Sequence, residues 1–576
     1  MIALEQDKLY PSAKTLVKDR VASRIHAKDA TLYDFSNEAM ESAKNFMGWA
    51  DLASNPPCSI DEIKAFAQEQ IDEGLKLVVL VGQGGSTQAS MTITKYNKID
   101  GNDVEFRTLD SVSPIRLREL FAEIDPAHTL FIHSSKSGGT IEPRLVMSAI
   151  RAHLLQFMPE EEIPRHLIAI TDPGSALLQK AEDEGWLGLF LGEPTVGGRY
   201  SALSVFGLLP AALVGIDIQK MLDRARVAEA ACSEDSIDNP AIALASFLYD
   251  GYVAGRDKVS FLTQKRGRVL GLWIEQLVAE SLGKEGKGIL PNIEVDSLNL
   301  AKDPGDRSVI MYQTKTDLWD ELKNFEMSLS YVDPVIPRLN LKIESVEDLA
   351  EHFVMWEYAI AMCGYLMKVC PFDQPDVASA KAAVLDILEN GHPKPDIVED
   401  FIGDLNMGTV EIELAPCFKD ATTLDEALYA LFGSVKPGDY FALNAFLPFT
   451  GEWRREALED IRHGVADKLG VVSCLEVGPR YLHSTGQLQK GGANNGVFLI
   501  ISADELKDVA LVDQPADSLG TLAKAQATGD LVTLASRGRR VVHLHLPDNA
   551  GVTLRALAEA VDRVLCALVS QREQDL

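Results

Sequence analysis

Short apolar runs along this chain alternate with longer segments in which apolar residues recur every three or four positions. This alternation predicts strands and helices in turn, and it is typical of parallel α/β layers. After a helical stretch that ends near residue 69, the run at 75–81 leads into a glycine-rich turn. Residues 129–133 and 166–171 repeat the same strand-then-loop design. The first α/β region is therefore expected to contain at least three strands.

The same pattern continues to the end of the chain. Further strands are predicted at 258–262, 308–312, 335–341, 409–414, 470–476, 497–501 and 540–545. A long helix is expected from about 345 to 369, and the charged, proline- and glycine-containing stretch 389–395 has the composition of a linker. We expect a helical leader, two α/β domains, a pair of closing helices and a C-terminal α/β domain, with bounds 1–69, 70–205, 206–345, 346–390 and 391–576.

Charge and cysteine content narrow the class of protein. The 576 residues carry a formal charge of −30, which argues against sequence-independent binding to nucleic acid or to an anionic membrane surface. The seven cysteines form no CxxC motif, so neither a disulfide framework nor a zinc knuckle is favoured. No signal-like leader and no run of 18 apolar residues occur. We expect a soluble cytoplasmic protein that acts on a small molecule.

The first glycine-rich turn spans Gly82–Ser86, directly after a predicted strand. Its backbone could approach a phosphate or a sugar closely. A dinucleotide is disfavoured, because Thr87 stands where the Rossmann fingerprint requires a glycine. A tight strand-to-helix turn without a ligand explains these residues equally well.

A second loop, Ser134–Thr140, combines hydroxyls, glycines and one lysine between a strand and the start of a helix. Amides at a helix N-terminus and Ser/Thr hydroxyls can converge on a phosphate. Simple capping of the helix is the alternative, but it needs only one hydroxyl. Lys136 lacks the GxxxxG spacing of a nucleotide P-loop. The loop is therefore a candidate anion site.

These residues form part of a larger set of ordered motifs. The set resembles phosphoglucose isomerases in order and spacing over roughly residues 70 to 390. The motifs are Gly82–Ser86, Ser135–Thr140, Val196–Ser201, Glu280–Gly288 and Pro371–Pro375 followed by Lys381. The segment Arg480–Gly492 is similar to the end of the isomerase half of fused transaldolase and glucose-6-phosphate isomerase proteins, although the transaldolase half is missing here. The resemblance implies two sugar-isomerase sheets of flavodoxin-like type.

The resemblance also implies catalytic roles for particular residues. Glu280 matches the family's base, which moves a proton between C2 and C1 of the sugar. Arg199 matches the arginine that faces the developing enediolate, and Lys381 matches a lysine that helps to polarise the ring oxygen. Outside their motifs, these residues would be interpreted as a surface carboxylate, a capping or salt-bridge arginine and a solvated lysine.

One family residue is absent from its usual place. Simple phosphoglucose isomerases carry a ring-opening histidine soon after the motif that contains Glu280, and residues 289–299 contain none. The pattern around His483 is similar to the sequence around that histidine, although it lies nearly two hundred residues later. We expect the C-terminal domain, from the same subunit or from a dimer mate, to supply His483. An ordinary loop histidine packed beside Tyr481 is the alternative.

Substrate contacts follow from the same resemblance, with one departure. The expected phosphate and sugar ligands are Gly84, Gly85, Ser86, Ser135, Lys136, Ser137, Thr140 and Gln374. Gly139 stands where the family commonly has threonine, which would weaken the phosphate contact by about 1 kcal/mol or leave room for another anionic group. His543 and His545 alternate along a predicted strand, and we expect them to be buried or covering residues rather than metal ligands.

The motifs together predict an aldose–ketose isomerase. It would interconvert glucose 6-phosphate and fructose 6-phosphate through an enediol, with no metal or organic cofactor. The resemblance implies a homodimer with shared sites. It also suggests a functional link to a separate transaldolase. A related hexose, such as mannose 6-phosphate or a 6-sulfo sugar, stays open as substrate because of Gly139. A non-catalytic sugar-phosphate sensor is the alternative from another class of function.

Overall fold

The apolar runs of the sequence form buried strands in the computed structural model of the chain. The structure describes residues 10–96, 104–264, 267–293, 297–315, 319–391, 397–403, 408–449, 452–505, 507–512 and 518–574. The strands are β1 Leu77–Val81, β2 Glu105–Leu109, β3 Thr129–Ser134, β4 Leu167–Thr171, β5 Gly188–Leu191, β6 Lys258–Thr263, β7 Leu290–Asn292, β8 Arg307–Thr314, β9 Arg338–Ile343, β10 Ile397–Phe401, β11 Thr409–Leu414, β12 Tyr440–Phe446, β13 Val472–Val477, β14 Gly496–Ala503 and β15 Arg540–Leu546.

Amphipathic and apolar helices connect these strands. They are α1 Pro11–Lys18, α2 Val21–His26, α3 Asn37–Phe46, α4 Ile60–Asp72, α5 Gln88–Tyr96, α6 Pro114–Glu123, α7 Ile141–Leu154, α8 Ala176–Glu184, α9 Val205–Leu213, α10 Ile218–Cys232, α11 Pro240–Val253, α12 Arg268–Leu282, α13 Trp319–Tyr331, α14 Asp348–Met367, α15 Pro375–Asn390, α16 Leu424–Gly433, α17 Glu452–Leu469, α18 Gly486–Gly491, α19 Leu519–Ser536 and α20 Gly551–Gln574. Among the helices that the structure describes, none has both the length and the apolar character of a membrane-spanning segment.

The chain divides into two units. The N-terminal unit contains the described residues up to Asp110 and the segment Glu123–Asp373. The C-terminal unit contains the segment Ser111–Ala122 and the described residues from Gln374 onward. The seven cysteines are unpaired in both units.

The N-terminal unit contains two parallel sheets with the same strand order. In the described residues, one sheet has the order β2-β1-β3-β4-β5 and the other β7-β6-β8-β9. Numbered within each sheet, these orders are 2-1-3-4-5 and 2-1-3-4, the flavodoxin-like arrangement. The expected pair of flavodoxin-like parallel sheets is confirmed. In such sheets ligands bind beyond the carboxyl ends of the strands, where the strand order reverses.

Helix α14 forms the centre of the N-terminal unit. It is apolar around most of its circumference and contacts α10, α11 and α12. Trp356 and Phe353 on this helix are fully buried, and Phe353 packs edge-on against Trp273 of α12. A helix that is hydrophobic on all sides needs neighbours on all sides. Helix α12, which carries Glu280, is thus fixed to the core along its length.

The C-terminal unit contains a third sheet of mixed direction. Its order among the described residues is β10-β11-β15-β14-β12-β13, with β10 and β11 antiparallel to their neighbours. The four parallel strands β12–β15 again have the order 2-1-3-4. Helix α15 packs against α19, and α17 packs against α20. The expected C-terminal α/β fold is confirmed.

The hydrophobic pattern of the sequence predicted some of the strands and missed others. The predicted strands are all present, with ends shifted by up to three residues, but β2, β5, β7, β10 and β12 were not predicted. The exposed positions of the edge strands β2 and β10 obscure their apolar character. Strand β7 is three residues long and contains a proline, and Asn444 interrupts the apolar run of β12. Of the expected linker, residues 392–395 lie outside the described part of the chain.

Candidate active site

Two loops meet at the carboxyl ends of the central strands β1 and β3. The strands pair in parallel register, with Val81 opposite His133, so the turns that follow them lie side by side. The Ser134 hydroxyl donates to the Ser86 carbonyl oxygen at 2.9 Å and joins the two loops. This is the point in the first sheet where the strand order reverses, the usual position of a ligand crevice.

Gly85 allows a third segment to reach this crevice. A Cβ atom on Gly85 would lie 2.2 Å from the carbonyl carbon of Gly198, so only glycine permits the approach. The Ser201 hydroxyl also points at the Gly85 carbonyl oxygen, at 3.4 Å. The close contact between the two backbones brings Arg199 to the glycine-rich turn. Two motifs that are more than a hundred residues apart in sequence thus meet in one place.

The hydroxyl-rich loop leads into α7 without a side-chain cap. Thr140 occupies the N-cap position, yet its side chain accepts no hydrogen bond from the helix amides. The Ser135 hydroxyl donates to the Thr140 hydroxyl oxygen at 3.4 Å, and Gly139 N–H donates to the Ser137 hydroxyl oxygen at 3.3 Å. Gly138 adopts a left-handed conformation with φ +67° that suits glycine. Capping does not explain the hydroxyls, so the arrangement favours an anion site at the start of α7.

Lys136 points to a partner inside the protein. Its ammonium lies 2.7 Å from an Asp172 carboxylate oxygen and donates to the carbonyl oxygen of Pro194 at 3.0 Å. Burial raises the pKa of Asp172, and the hydrogen bond and charge of Lys136 oppose that rise. The lysine therefore ties the hydroxyl-rich loop to the loop that follows β4.

Arg199 and Glu280 form a buried ion pair at the end of α12. Nη1 of Arg199 lies 3.2 Å from Oε1 of Glu280, and the two residues are 3 % and 7 % exposed. Gln276, one helical turn earlier, donates from Nε2 to Oε2 of Glu280 at 2.9 Å. A carboxylate so enclosed meets little competition from water for a proton. The alternative interpretation of Glu280 as a surface carboxylate is wrong.

The remaining donors of Arg199 are fixed as well. Nε donates to the Ser281 hydroxyl oxygen at 2.8 Å, and Nη2 donates to the carbonyl oxygens of Pro371 and Asp373 at 2.6 and 2.9 Å. Five donors in a rigid fork allow this many simultaneous contacts, which a lysine could not reproduce. The guanidinium is thus held in one orientation against Glu280.

Lys284 holds the same backbone segment and was not singled out from the sequence. Its buried ammonium donates to the carbonyl oxygens of Cys370 and Asp373 and pairs with the Asp373 carboxylate. Burial lowers the pKa of Lys284, and the positive charge of Arg199 adds to that effect. Arg199 and Lys284 therefore both bind the Asp373 carbonyl oxygen.

Sequence signals existed for some of these additional residues. Gln276 lies four residues before Glu280 on the same helix, a spacing that places both on one face. Ser281 and Lys284 lie within the motif that begins at Glu280, but a motif does not show which side chains bind which groups. Asp373 lies 89 residues from Lys284, and no local pattern indicates this contact.

The other candidate residues belong to the C-terminal unit. Gln374 is exposed and occupies the N-cap position of α15, and Lys381 is exposed on the same helix. His483 is partly buried in a short helical turn that follows β13. The structure thus brings Arg199 and Glu280 together in one unit and places Gln374, Lys381 and His483 in the other.

His543 and His545 are buried in a chain of hydrogen bonds within the third sheet. His543 Nδ1 lies 2.6 Å from a Glu413 carboxylate oxygen, and its Nε2 lies 2.8 Å from the Ser502 hydroxyl oxygen. The same hydroxyl lies 2.7 Å from His545 Nδ1, whose Nε2 lies 3.1 Å from Asp504. In the described part of the chain, no group of three or more His, Cys, Asp or Glu side chains is placed to hold a metal ion. The expectation that both histidines are buried is confirmed.

Comparisons with known proteins place the chain among its relatives. The family model for phosphoglucose isomerase matches residues 61–296. A relative from Mycoplasmopsis pulmonis (strain UAB CTIP), named glucose-6-phosphate isomerase, is 30 % identical over 414 residues, which cover 64 % of this chain and 95 % of the relative.

Solved structures share the fold. A hypothetical protein from Thermus thermophilus aligns with TM-score 0.57 and 23 % identity, covering 68 % of this chain and 100 % of that one. A glucose-6-phosphate isomerase from Chlamydia trachomatis D/UW-3/Cx aligns with TM-score 0.55 and 18 % identity, covering 68 % and 87 %. The extended match to the Mycoplasmopsis relative shows that the chain belongs to the phosphoglucose isomerase family.

Proposed function

We propose that this protein is a glucose-6-phosphate isomerase that interconverts D-glucose 6-phosphate and D-fructose 6-phosphate through a cis-enediol. Curated relatives of that name match most of their own length to this chain. The observation that carries the proposal is the buried pair of Glu280 and Arg199, because isomerisation needs a shielded base and a fixed positive charge together. A protein that only binds a sugar phosphate would need neither.

Glu280 transfers the proton in this mechanism. Its carboxylate removes the proton from C2 of the open-chain aldose, and a proton taken up by O1 completes the enediol. The carboxylic acid then returns its proton to C1 while the C2 hydroxyl loses its own, which yields the ketose. Negative charge develops on the substrate oxygens during this step. The guanidinium of Arg199 is held by Ser281, Pro371 and Asp373, so it stabilises that charge without reorganisation.

The substrate phosphate binds at the hydroxyl-rich loop. Ser135, Ser137 and Thr140 supply hydroxyls, and the amides at the start of α7 add partial positive charge. Gly84 and Gly85 with Ser86 flank the sugar from the adjacent turn, and Gln374 completes the set of substrate contacts. The Lys136 ammonium pairs with Asp172, so Lys136 contributes by holding the loop in place. The uncapped Thr140 supports this assignment.

Lys381 and His483 assist ring opening. An imidazole is suited to proton transfer near neutral pH, and an ammonium can polarise the ring oxygen. Both residues belong to the C-terminal unit, which gives that unit a part in the reaction. We further propose a homodimer, a functional link to a separate transaldolase, and the reducing cytoplasm as the compartment, in keeping with seven unpaired cysteines.

A related hexose is the second candidate substrate. A Cβ atom at Gly139 would meet only the Ser137 hydroxyl oxygen, at 3.9 Å. The space beside the phosphate loop leaves room for a different anionic group, such as the sulfonate of a 6-sulfo sugar. Mannose 6-phosphate is the other related hexose. Relative kcat/KM values for the three sugars decide between these substrates.

A coupled assay of fructose 6-phosphate conversion, with and without EDTA, tests the proposed activity. We expect turnover that EDTA does not change, since the proposed groups are all side chains and amides. Binding of fructose 6-phosphate without turnover would show a sensor instead of an enzyme. Loss of turnover in EDTA would contradict the metal-free mechanism.

A further inference from the structure

The segment Arg480–Gly492 in the C-terminal unit, here called the His483 segment, is held in place by buried polar contacts. Asp530 on α19 accepts a hydrogen bond from the Tyr481 hydroxyl at 2.7 Å and forms a buried ion pair with Lys490. Tyr481 and Lys490 lie on either side of His483 in sequence. One carboxylate of the packed helix α19 therefore binds both ends of the segment.

Gln487 links this segment to the helix that carries Lys381. Its Nε2 donates to Oδ2 of Asp376 at 2.6 Å, and its Oε1 accepts from the Asp376 backbone N–H at 3.0 Å. Both side chains are buried. Asp376 lies in the first turn of α15, and its other carboxylate oxygen is 2.5 Å from Arg537.

The two hydrogen bonds between Gln487 and Asp376 fix the position of the His483 segment along α15 and also hold the two elements together. The Gln487 amide matches a carboxylate and a backbone N–H of the same residue at once, which happens in only one alignment of the two elements. Lys381 lies five residues beyond Asp376, about 7.5 Å further along α15. His483 lies four residues before Gln487. Apolar side chains could hold the two elements together, but they would fix their relative position less strictly.

The geometry points to Asp376 and Gln487 as positioning residues for ring opening, which hold Lys381 and His483 in fixed register. This inference rests on the proposed function of those two residues. The competing explanation is structural: Asp376 would only stabilise the N-terminus of α15, where an acidic side chain is favourable. The two explanations predict a different kcat for a variant in which the direction of the hydrogen bond between the side chains of Asp376 and Gln487 is reversed.

An exchange of donor and acceptor tests the inference. In Asp376→Asn, the new amide N–H2 faces either the Gln487 N–H2 or the Arg537 guanidinium, so two donors oppose each other in both orientations of the amide. Adding Gln487→Glu restores both hydrogen bonds with the direction of the side-chain bond reversed, and the backbone N–H keeps its acceptor. We expect Asp376→Asn to lower kcat about tenfold or more with KM changed less than about threefold, because a small misplacement of a reacting group is costly. The double variant should recover to within about threefold of the wild type.

Two further variants serve as probe and control. Gln487→Met removes both hydrogen bonds without adding charge, and it serves if Asp376→Asn does not fold. Asp386→Asn makes the same chemical change at an exposed position of α15, where Asp386 accepts a local hydrogen bond from Asn390 and has no other hydrogen-bond partner among the described residues. It should leave kcat unchanged. Circular dichroism melting identifies variants that are folded at the assay temperature.

Two outcomes separate failure of this inference from failure of the proposed function. The positioning role is refuted if the folded Asp376→Asn and Gln487→Met variants keep the wild-type kcat, or if the double variant has a kcat no higher than that of Asp376→Asn. Neither result contradicts the proposed isomerase activity. If the wild type has no isomerase activity, the test uses the 13C-labelled His483 Cε1–H signal. That signal should shift in Asp376→Asn and return in the double variant, and an unchanged signal would refute positioning.

Discussion

Replacing Lys284 by methionine tests how strongly the two buried cations hold the segment that ends at Asp373. The substitution keeps the length of the side chain but removes the ion pair and the bonds to the carbonyl oxygens of Cys370 and Asp373. Breaking a buried pair typically costs about 3–5 kcal/mol. Because the Asp373 side chain is one-third exposed and can be hydrated again, we expect about 3 kcal/mol.

The assay is urea-induced unfolding followed by tryptophan fluorescence. Lys287→Met is the matched control, since Lys287 belongs to the same motif and binds the Met367 carbonyl oxygen at 3.0 Å from a less buried position. It should cost about 1 kcal/mol. Because Lys284 shares the Asp373 carbonyl oxygen with Arg199, its loss should also lower kcat. Equal stability of the two variants, within about 0.5 kcal/mol, would refute the reasoning.

Three further outcomes are expected. Gly139→Thr should lower the KM for fructose 6-phosphate severalfold without loss of stability, because the Cβ has room; a raised KM would contradict the proposed phosphate site. Arg199→Lys should lower kcat about 10²- to 10³-fold, the usual effect of removing a donor to developing charge, and near-normal kcat would exclude that role. Burial lowers the pKa of His133 to about 3 and that of His352 to about 4. Both pKa values lie below that of an unfolded histidine. The contribution to the free energy of unfolding is therefore fully present above pH 6.5 and is lost as the pH decreases, by about 2 kcal/mol per histidine at pH 5. The slope of the unfolding free energy against pH gives the number of protons taken up on unfolding, and His133→Leu should reduce that number by one near pH 5. An unchanged slope would contradict the burial of His133 in its neutral form.

Local sequence patterns were sufficient for much of the fold. The strands β1, β3 and β4 are buried at every position and contain short apolar runs, and their periodicity differs clearly from that of the helices. Edge strands such as β2 carry exposed side chains, so the same rule overlooks them. The repeated 2-1-3-4 strand order is a property of topology, which periodicity alone does not show.

The candidate site was predictable only as far as motifs extend. Gly85 and Arg199 lie in separate motifs, and the absence of a Cβ on Gly85 is what allows their backbones to meet. Nothing local to Lys284 indicates that its ammonium binds a carboxylate 89 residues away. Such contacts depend on how α12 packs in the core, and a single sequence does not specify that packing.

The proton transfer assigned to Glu280 is tested most directly with glucose 6-phosphate labelled by deuterium at C2. The wild-type enzyme should release part of the label to water and transfer part to C1 of fructose 6-phosphate. Glu280→Gln should retain the label at C2, with the rate of label loss reduced at least about 10³-fold, while the protein stays folded and binds the sugar phosphate. Loss of the label at a near-wild-type rate in Glu280→Gln would contradict the assignment of this carboxylate as the base.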